Sequence, residues 1–219
     1  MPTHAQQLLG RRLKSSAPLT WVFTGDSITH GALHTHGWRS YVEHFAERVR
    51  WEMQRMRDVV INTGISGERA PGLLADFDHR VLRFRPDVVS IMIGMNDATE
   101  GQNGHEKFRS ALDTMLDRLG REDQLVTILH TPNTVTRFEA IRKDLPAYAE
   151  IVRALARQHE VILVDQEKLW IERGGPIEYL LDDGTLHPNG AGHVLMTHHL
   201  LKAIDLWDPA SAVCRFFVS

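Results

Sequence analysis

Cysteine is nearly missing from this chain: Cys214 is the only one in 219 residues. No internal disulfide can form, and no cysteine-based zinc site can be assembled from one subunit. A dominant charge is missing too, because 25 Lys and Arg face 28 Asp and Glu, giving a net charge of −3 with no basic block or stripe. That balance recommends neither a nucleic acid nor an anionic membrane as partner, and it suits a neutral small molecule better. No apolar run approaches the roughly 20 residues of a membrane-spanning helix. The segment Met1 to Ser16 is polar, with Arg11, Arg12 and Lys14, and lacks the apolar stretch of a secretory signal, so a cytoplasmic location is expected. Neither a Gly-x-x-x-x-Gly-Lys loop nor a Gly-x-Gly-x-x-Gly fingerprint follows any apolar run, which argues against a nucleotide binder. Repeats, low-complexity tracts and linkers are also missing. Residues 1–219 therefore read as a single domain, with a core over about 20–206 and an apolar tail over 207–219.

At 42% hydrophobic and 24% charged residues, the chain can bury one substantial core. Five apolar, β-branched runs read as buried strands: Trp21 to Thr24, Val59 to Asn62, Val88 to Ile93, Leu125 to Leu129 and Val161 to Val164. Helical spacing fills the intervals. The clearest stripe is Trp38, Tyr41, Val42, Phe45, Val49, Met53 and Met56, flanked by Glu43, Glu47, Arg48 and Arg55. Further helices are expected at about 70–84, 105–119, 138–158 and 189–206. Alternating strands and helices predict an α/β fold, a three-layer sandwich in which helices cover both faces of a parallel sheet through right-handed crossovers. In such sheets the ligand crevice lies at the carboxyl ends of the strands. The chemistry-bearing residues should follow strands, and Ser27, the Gly64 to Gly67 segment, and Asn96 with Asp97 all do.

Ser27 sits in Gly25-Asp26-Ser27-Ile28-Thr29-His30-Gly31, directly after the first apolar run, where a strand gives way to a loop. His187 sits in His187-Pro188-Asn189-Gly190, shortly after Asp182 and Asp183. A serine needs an imidazole base and a carboxylate before it can attack a carbonyl, so these distant segments must meet if they act together. Two further blocks, Asn62-Thr63-Gly64-Ile65-Ser66-Gly67 and Gly94-Met95-Asn96-Asp97, lie between them.

The four blocks, in this order and approximate spacing, resemble those of the SGNH hydrolases, also called GDSL-type esterases, over residues 20 to 206. The resemblance implies a five-stranded parallel sheet in flavodoxin-like order and hydrolysis of carboxylic esters through an acyl-serine intermediate, with no cofactor. It implies Ser27 as nucleophile and His187 as general base. It also implies an oxyanion hole made of the backbone amides of Ser27 and Gly67 and the side-chain amide of Asn96. Fixed donors aimed at a developing oxyanion typically contribute about 3 to 4 kcal/mol apiece. The acid departs from the family pattern, since the position three before the histidine is Gly184 rather than aspartate. Asp183 is the chosen partner of His187, with Asp182 or a backbone carbonyl as the alternatives.

Other residues read more plainly. Gly64 and Ser66 tighten the second loop, Asp97 caps a helix or supports Asn96, and Asp26 makes supporting hydrogen bonds. The chain holds 13 histidines, but His193, His198 and His199 lack the His-Glu-x-x-His pattern of a metal pair on one helix face. No metal is expected, and His193 belongs to helix packing. His34, His36 and Trp38 follow the nucleophile loop and read equally as pocket lining or as a solvated loop. No lid-sized insertion separates the blocks, which favours short acyl groups such as acetyl on small alcohols or sugars. A thioesterase or lysophospholipase on the same machinery, and a silent glycan-binding module, are the alternatives. The tail, with Val213, Phe216, Phe217 and Val218, either packs back on the domain or joins a second copy.

Overall fold

The computed structural model describes residues 3–136, 139–182 and 184–216. Five parallel strands form one sheet: β1 (Thr20–Gly25), β2 (Val59–Asn62), β3 (Val88–Met92), β4 (Val126–His130) and β5 (Ile162–Val164). Their order is β2-β1-β3-β4-β5, the flavodoxin-like arrangement expected above. Strands β1, β3 and β4 are buried almost throughout, as both-face coverage of a parallel sheet requires. The reading of Val59 to Asn62 as a buried strand needs correction. It is a partly open edge strand, with Val59 50% exposed, because the observed order gives β2 only β1 as neighbour.

Helices α1 (His4–Lys14), α2 (Ser27–His30), α3 (Tyr41–Ala46), α4 (Ala70–Ala75), α5 (Phe77–Arg80), α6 (His105–Leu119), α7 (Leu145–Gln158), α8 (Gln166–Arg173) and α9 (Gly190–Ala203) complete the described layers. α1, α2 and α8 were not among the expected helices, and the segment after β1 read as a loop forms the short α2. α1 starts on a capping box in which Thr3 and Gln6 satisfy each other's backbone, and it buries Leu8 and Leu9. α8 starts on Asp165, whose carboxylate accepts from the Lys168 N–H, and it buries Trp170.

The expected long helix from Trp38 begins only at Tyr41, where Ser40 and Glu43 form a capping box, and it widens into a π-helical turn over Glu47–Glu52. Its stripe is buried through Tyr41, Val42, Phe45 and Val49, whereas Trp38 lies outside the helix and is 74% exposed. Phe45 meets Trp21 and Phe23 of β1 at ring separations of 5.0 and 4.9 Å. Each such pair adds about 0.5–1.5 kcal/mol beyond the area it buries. The expected helix over 70–84 is broken at Asp76 and Val81, whose backbone angles leave the helical region, so α4, α5 and a short 3₁₀ turn replace it. α7 starts at Leu145 rather than near 138 because Pro146, with its preset φ and missing N–H, favours the first turn.

The tail packs back on the body as far as it is described. Glu52 accepts from the Ser211 hydroxyl and the Val213 N–H, and Val213 and Cys214 are buried. Phe217 and Val218 lie outside the described residues.

Candidate active site

β1 ends at Gly25, which has a φ of +154° and whose missing Cβ would stand 2.0 Å from the Met92 carbonyl oxygen of β3. Only glycine lets the two strand ends approach that closely. Asp26 then caps α2, its carboxylate accepting from the Ile28 N–H at 3.0 Å, and this turn presents Ser27 at the carboxyl edge of the sheet. Burial pushes the Asp26 carboxyl up to about 7, with the nearby Asp97 carboxyl raising it further.

Ser27 Oγ lies 3.0 Å from His187 Nε2. His187 comes from a narrow loop whose stem is pinned by an antiparallel bridge between Leu181 and Pro188 and by the Asp182 N–H donating to the His187 carbonyl at 2.8 Å. The segment after β4 braces this loop: the Asn133 amide donates to the Leu186 carbonyl at 3.1 Å, and the Thr136 N–H donates to that of Thr185 at 3.0 Å. Downstream, Asn189 caps α9 through the Ala191 and Gly192 N–H groups.

Asp183, the chosen acid, lies outside the described residues. Asp182, the alternative, turns its carboxylate elsewhere: it accepts from His34 Nδ1–H at 3.0 Å and from His36 Nε2–H. Hydrogen bonds from His34, and then from His36, hold its carboxyl below the usual range.

Three donors were expected to form the oxyanion hole. Among the described residues, the backbone N–H groups of Ser27 and Gly67 have no hydrogen-bond acceptor. The Asn96 side chain donates one amide hydrogen to the Glu68 carbonyl at 3.0 Å, and its oxygen faces Arg142 Nη2 at 3.5 Å. Arg142 is tied to the same turn through the Met95 carbonyl at 2.9 Å. Asp97 caps α4 from across the loop, accepting from the Ala70 N–H at 2.9 Å, and burial raises its carboxyl to about 6. Gly64 and Ser66 hold the second loop against α2: the Gly64 N–H donates to Asn62 Oδ1, whose amide donates to the Thr29 carbonyl, and Ser66 Oγ meets His30.

Several contributors escaped the sequence reading. Buried Arg80 donates to the carbonyls of Gly25 and Thr63 at 3.1 and 2.8 Å and pairs with Glu68, stapling the ends of β1 and β2 to the loop that carries Gly67. Arg80, Arg142 and Asn133 act across 12 to 55 residues, and no local pattern signals them. His34, read from the sequence as pocket lining or a solvated loop, takes a more specific place, for its ring lies parallel to that of His187 with centroids 3.6 Å apart. The other notable histidines are occupied. His193 accepts from the Tyr41 N–H, His198 meets the Val213 carbonyl, and His199 meets Gln166. Burial lowers all three, His193 to about 3 and His199 to about 4.

Sheet order and strand-end site together are those of an ester-hydrolysing α/β enzyme of the SGNH type. The model of the GDSL-like Lipase/Acylhydrolase family matches residues 23–195, and the chain belongs to that family. An acetylxylan esterase from Geobacillus stearothermophilus is 28% identical over 208 residues, covering 84% of this chain and 92% of that protein. An uncharacterized protein of Mycoplasma pneumoniae is 26% identical over 169 residues, which span 73% of this chain but only 19% of its length. Among solved structures, LAE5, an alpha/beta hydrolase enzyme from the metagenome of Lake Arreo, Spain, superposes with a TM-score of 0.75 at 24% identity, covering 90% of this chain and 99% of that one. The acetylxylan esterase Axe2 from Geobacillus stearothermophilus gives 0.70 at 22% identity, covering 91% and 97%. Among the described residues, no helix is long and apolar enough to cross a membrane.

Proposed function

We propose that the chain is a serine esterase for short acyl groups, acetyl foremost, carried on small alcohols or carbohydrates, with Ser27 as nucleophile and His187 as general base. The reading is carried by the 3.0 Å approach of Ser27 Oγ to His187 Nε2. Oγ bonds to the carbonyl carbon as its proton passes to Nε2. The oxyanion so formed faces the N–H groups of Ser27 and Gly67 and the second Asn96 amide hydrogen. Its collapse breaks the ester C–O bond, and the leaving alkoxide takes the proton from His187. Water then attacks the acyl-serine with His187 again as base, releasing the carboxylic acid and restoring the serine hydroxyl. Asp183 is the proposed orienter of the imidazole, since both oxygens of Asp182 are engaged by His34 and His36.

The leaving group departs on the base's side. A groove of about 560 Å³, lined by His36, Trp38, His44, Asn189, Val194 and Phe216, lies beside the segments that neighbour His34 and His187 in sequence, and we take it as the place for the alcohol. The exposed indole of Trp38 offers a flat apolar face of the kind that sugar rings stack on, which favours a carbohydrate alcohol, and the acetylxylan esterase relative supports the same choice.

The test is covalent labelling with a fluorophosphonate, followed by kinetics on p-nitrophenyl esters from acetate to decanoate and on acetylated xylo-oligosaccharides. Labelling abolished by Ser27→Ala, with kcat/KM greatest for the two- to four-carbon acyl groups, is expected. Labelling that survives Ser27→Ala refutes the nucleophile, and a preference for acyl chains of eight or more carbons refutes the short-acyl assignment.

A further inference from the structure

His187 is covered by a second imidazole. His34, from the loop between α2 and α3, lies within 6° of parallel to it at a centroid separation of 3.6 Å. Face-to-face stacking is not what two aromatic rings choose when left alone. An outside anchor holds the pair, and that anchor is Asp182. Its Oδ2 accepts from His34 Nδ1–H at 3.0 Å, its Oδ1 accepts from His36, and its main-chain N–H binds the His187 carbonyl at 2.8 Å. One residue thus fixes both the covering ring and the backbone of the ring it covers. The His34 loop is itself tied down, since Thr35 Oγ1 donates to the Gly31 carbonyl at the end of α2, one turn from Ser27.

We propose that His34, anchored by Asp182, is a positioning residue that keeps the His187 imidazole in the plane from which it accepts the Ser27 proton and holds it unprotonated at rest. This rests on the roles given above to Ser27 and His187. A ring packed flat on one face restricts rotation of the imidazole, so the proton-transfer geometry is set before substrate arrives. Two stacked imidazoles cannot both take a proton cheaply, because like charges at this separation repel. Besides Asp183, the orienter proposed above, the charged or titratable groups around the pair come, among the described residues, from three elements. His34 and His36 lie on the α2–α3 loop, Asp182 lies on the loop that carries His187, and His193 lies on α9, where it is kept neutral by burial. Loss of His34 frees the Oδ2 oxygen of the Asp182 carboxylate, which favours an imidazolium at His187.

The experiment compares full-length wild type, His34→Ala and His34→Phe on p-nitrophenyl acetate between pH 5 and 9, with thermal melts to confirm folding and fluorophosphonate labelling as control. His34→Ala is expected to lower kcat about tenfold with KM changed less than twofold, and to move the acidic limb of kcat/KM to higher pH by more than half a pH unit. His34→Phe keeps a flat ring but no donor for Asp182, so it is expected to recover most of kcat while retaining the displaced limb. An unchanged kcat and limb in folded His34→Ala overturns the proposal, as does an equal kcat loss in both variants. Should His34→Ala fail to fold, His34→Phe decides alone, and an undisplaced limb there overturns it. Absence of labelling in wild type, by contrast, strikes the nucleophile assignment and not this one.

Discussion

Asn96 gives one amide hydrogen to the carbonyl of Glu68 at 3.0 Å, which fixes its side chain and leaves the second hydrogen without an acceptor among the described residues. Glu68 directly follows Gly67, so two of the proposed oxyanion donors are tied together by this bond. Asn96→Ala is expected to lower kcat by about 10²- to 10³-fold. KM should change little, because the lost hydrogen bond is made to the oxyanion and not to the ground-state ester. Steady-state kinetics on p-nitrophenyl acetate measures both, and a loss confined to KM contradicts the oxyanion role.

Asp26 caps the turn that presents Ser27, yet it is fully buried, and its carboxyl is raised from 3.8 to about 7. The folded state therefore holds this proton more tightly than the unfolded chain. The stabilisation is complete below about pH 4 and is lost as pH rises through 7. Asp26→Asn keeps an oxygen for the Ile28 N–H and removes the titration. The Tm of the variant minus that of wild type is expected to rise by roughly 5 °C or more between pH 4.5 and 7.5, at about 2–4 °C per kcal/mol for a chain of this size. Calorimetry at both pH values tests this, and a difference independent of pH rejects it. The Asp97 carboxyl, raised to about 6, is present in both proteins and cancels to first order.

Gly64 stands where the second loop touches α2. A Cβ there would lie 2.4 Å from the His30 nitrogen, 2.9 Å from the Thr29 carbonyl carbon and 3.0 Å from the Asp26 oxygen, all of them backbone. No side chain can swing aside to make room, so the turn bearing Ser27 has to move. Gly64→Ala is expected to destabilise the protein by about 1–3 kcal/mol. A displacement near 1 Å would lower kcat on the order of 10²-fold. Denaturant unfolding and kinetics measure the two effects, and a variant with wild-type kcat shows that the turn is not held by this contact.

Much of this architecture is legible in the sequence because the physics that shapes it is local. Three of the strands declare themselves by apolar runs buried on both faces, and Ser27, Asn96 and His187 stand just beyond apolar runs or at a helix start, where short turn motifs carry them. What escaped is set by pairing across the chain. Val59 to Asn62 has the composition of an interior strand, and only the sheet order makes it an edge. The stripe from Trp38 looked continuous, but the N-cap at Ser40 starts the helix at Tyr41 and leaves Trp38 outside. Asp182 and Asp183 are neighbours of the same type, so spacing alone could not assign them. The Asp182 carboxylate found His34 and His36, about 150 residues away.

Ser27 and His187 belong to segments 160 residues apart, and the loop carrying His187 follows β5 and α8 in the chain. On the proposed roles, the serine is synthesised 160 residues before its base and remains an unactivated hydroxyl until the segment bearing His187 has been made. A product that stops before that segment therefore carries the proposed attacking group without the means to use it.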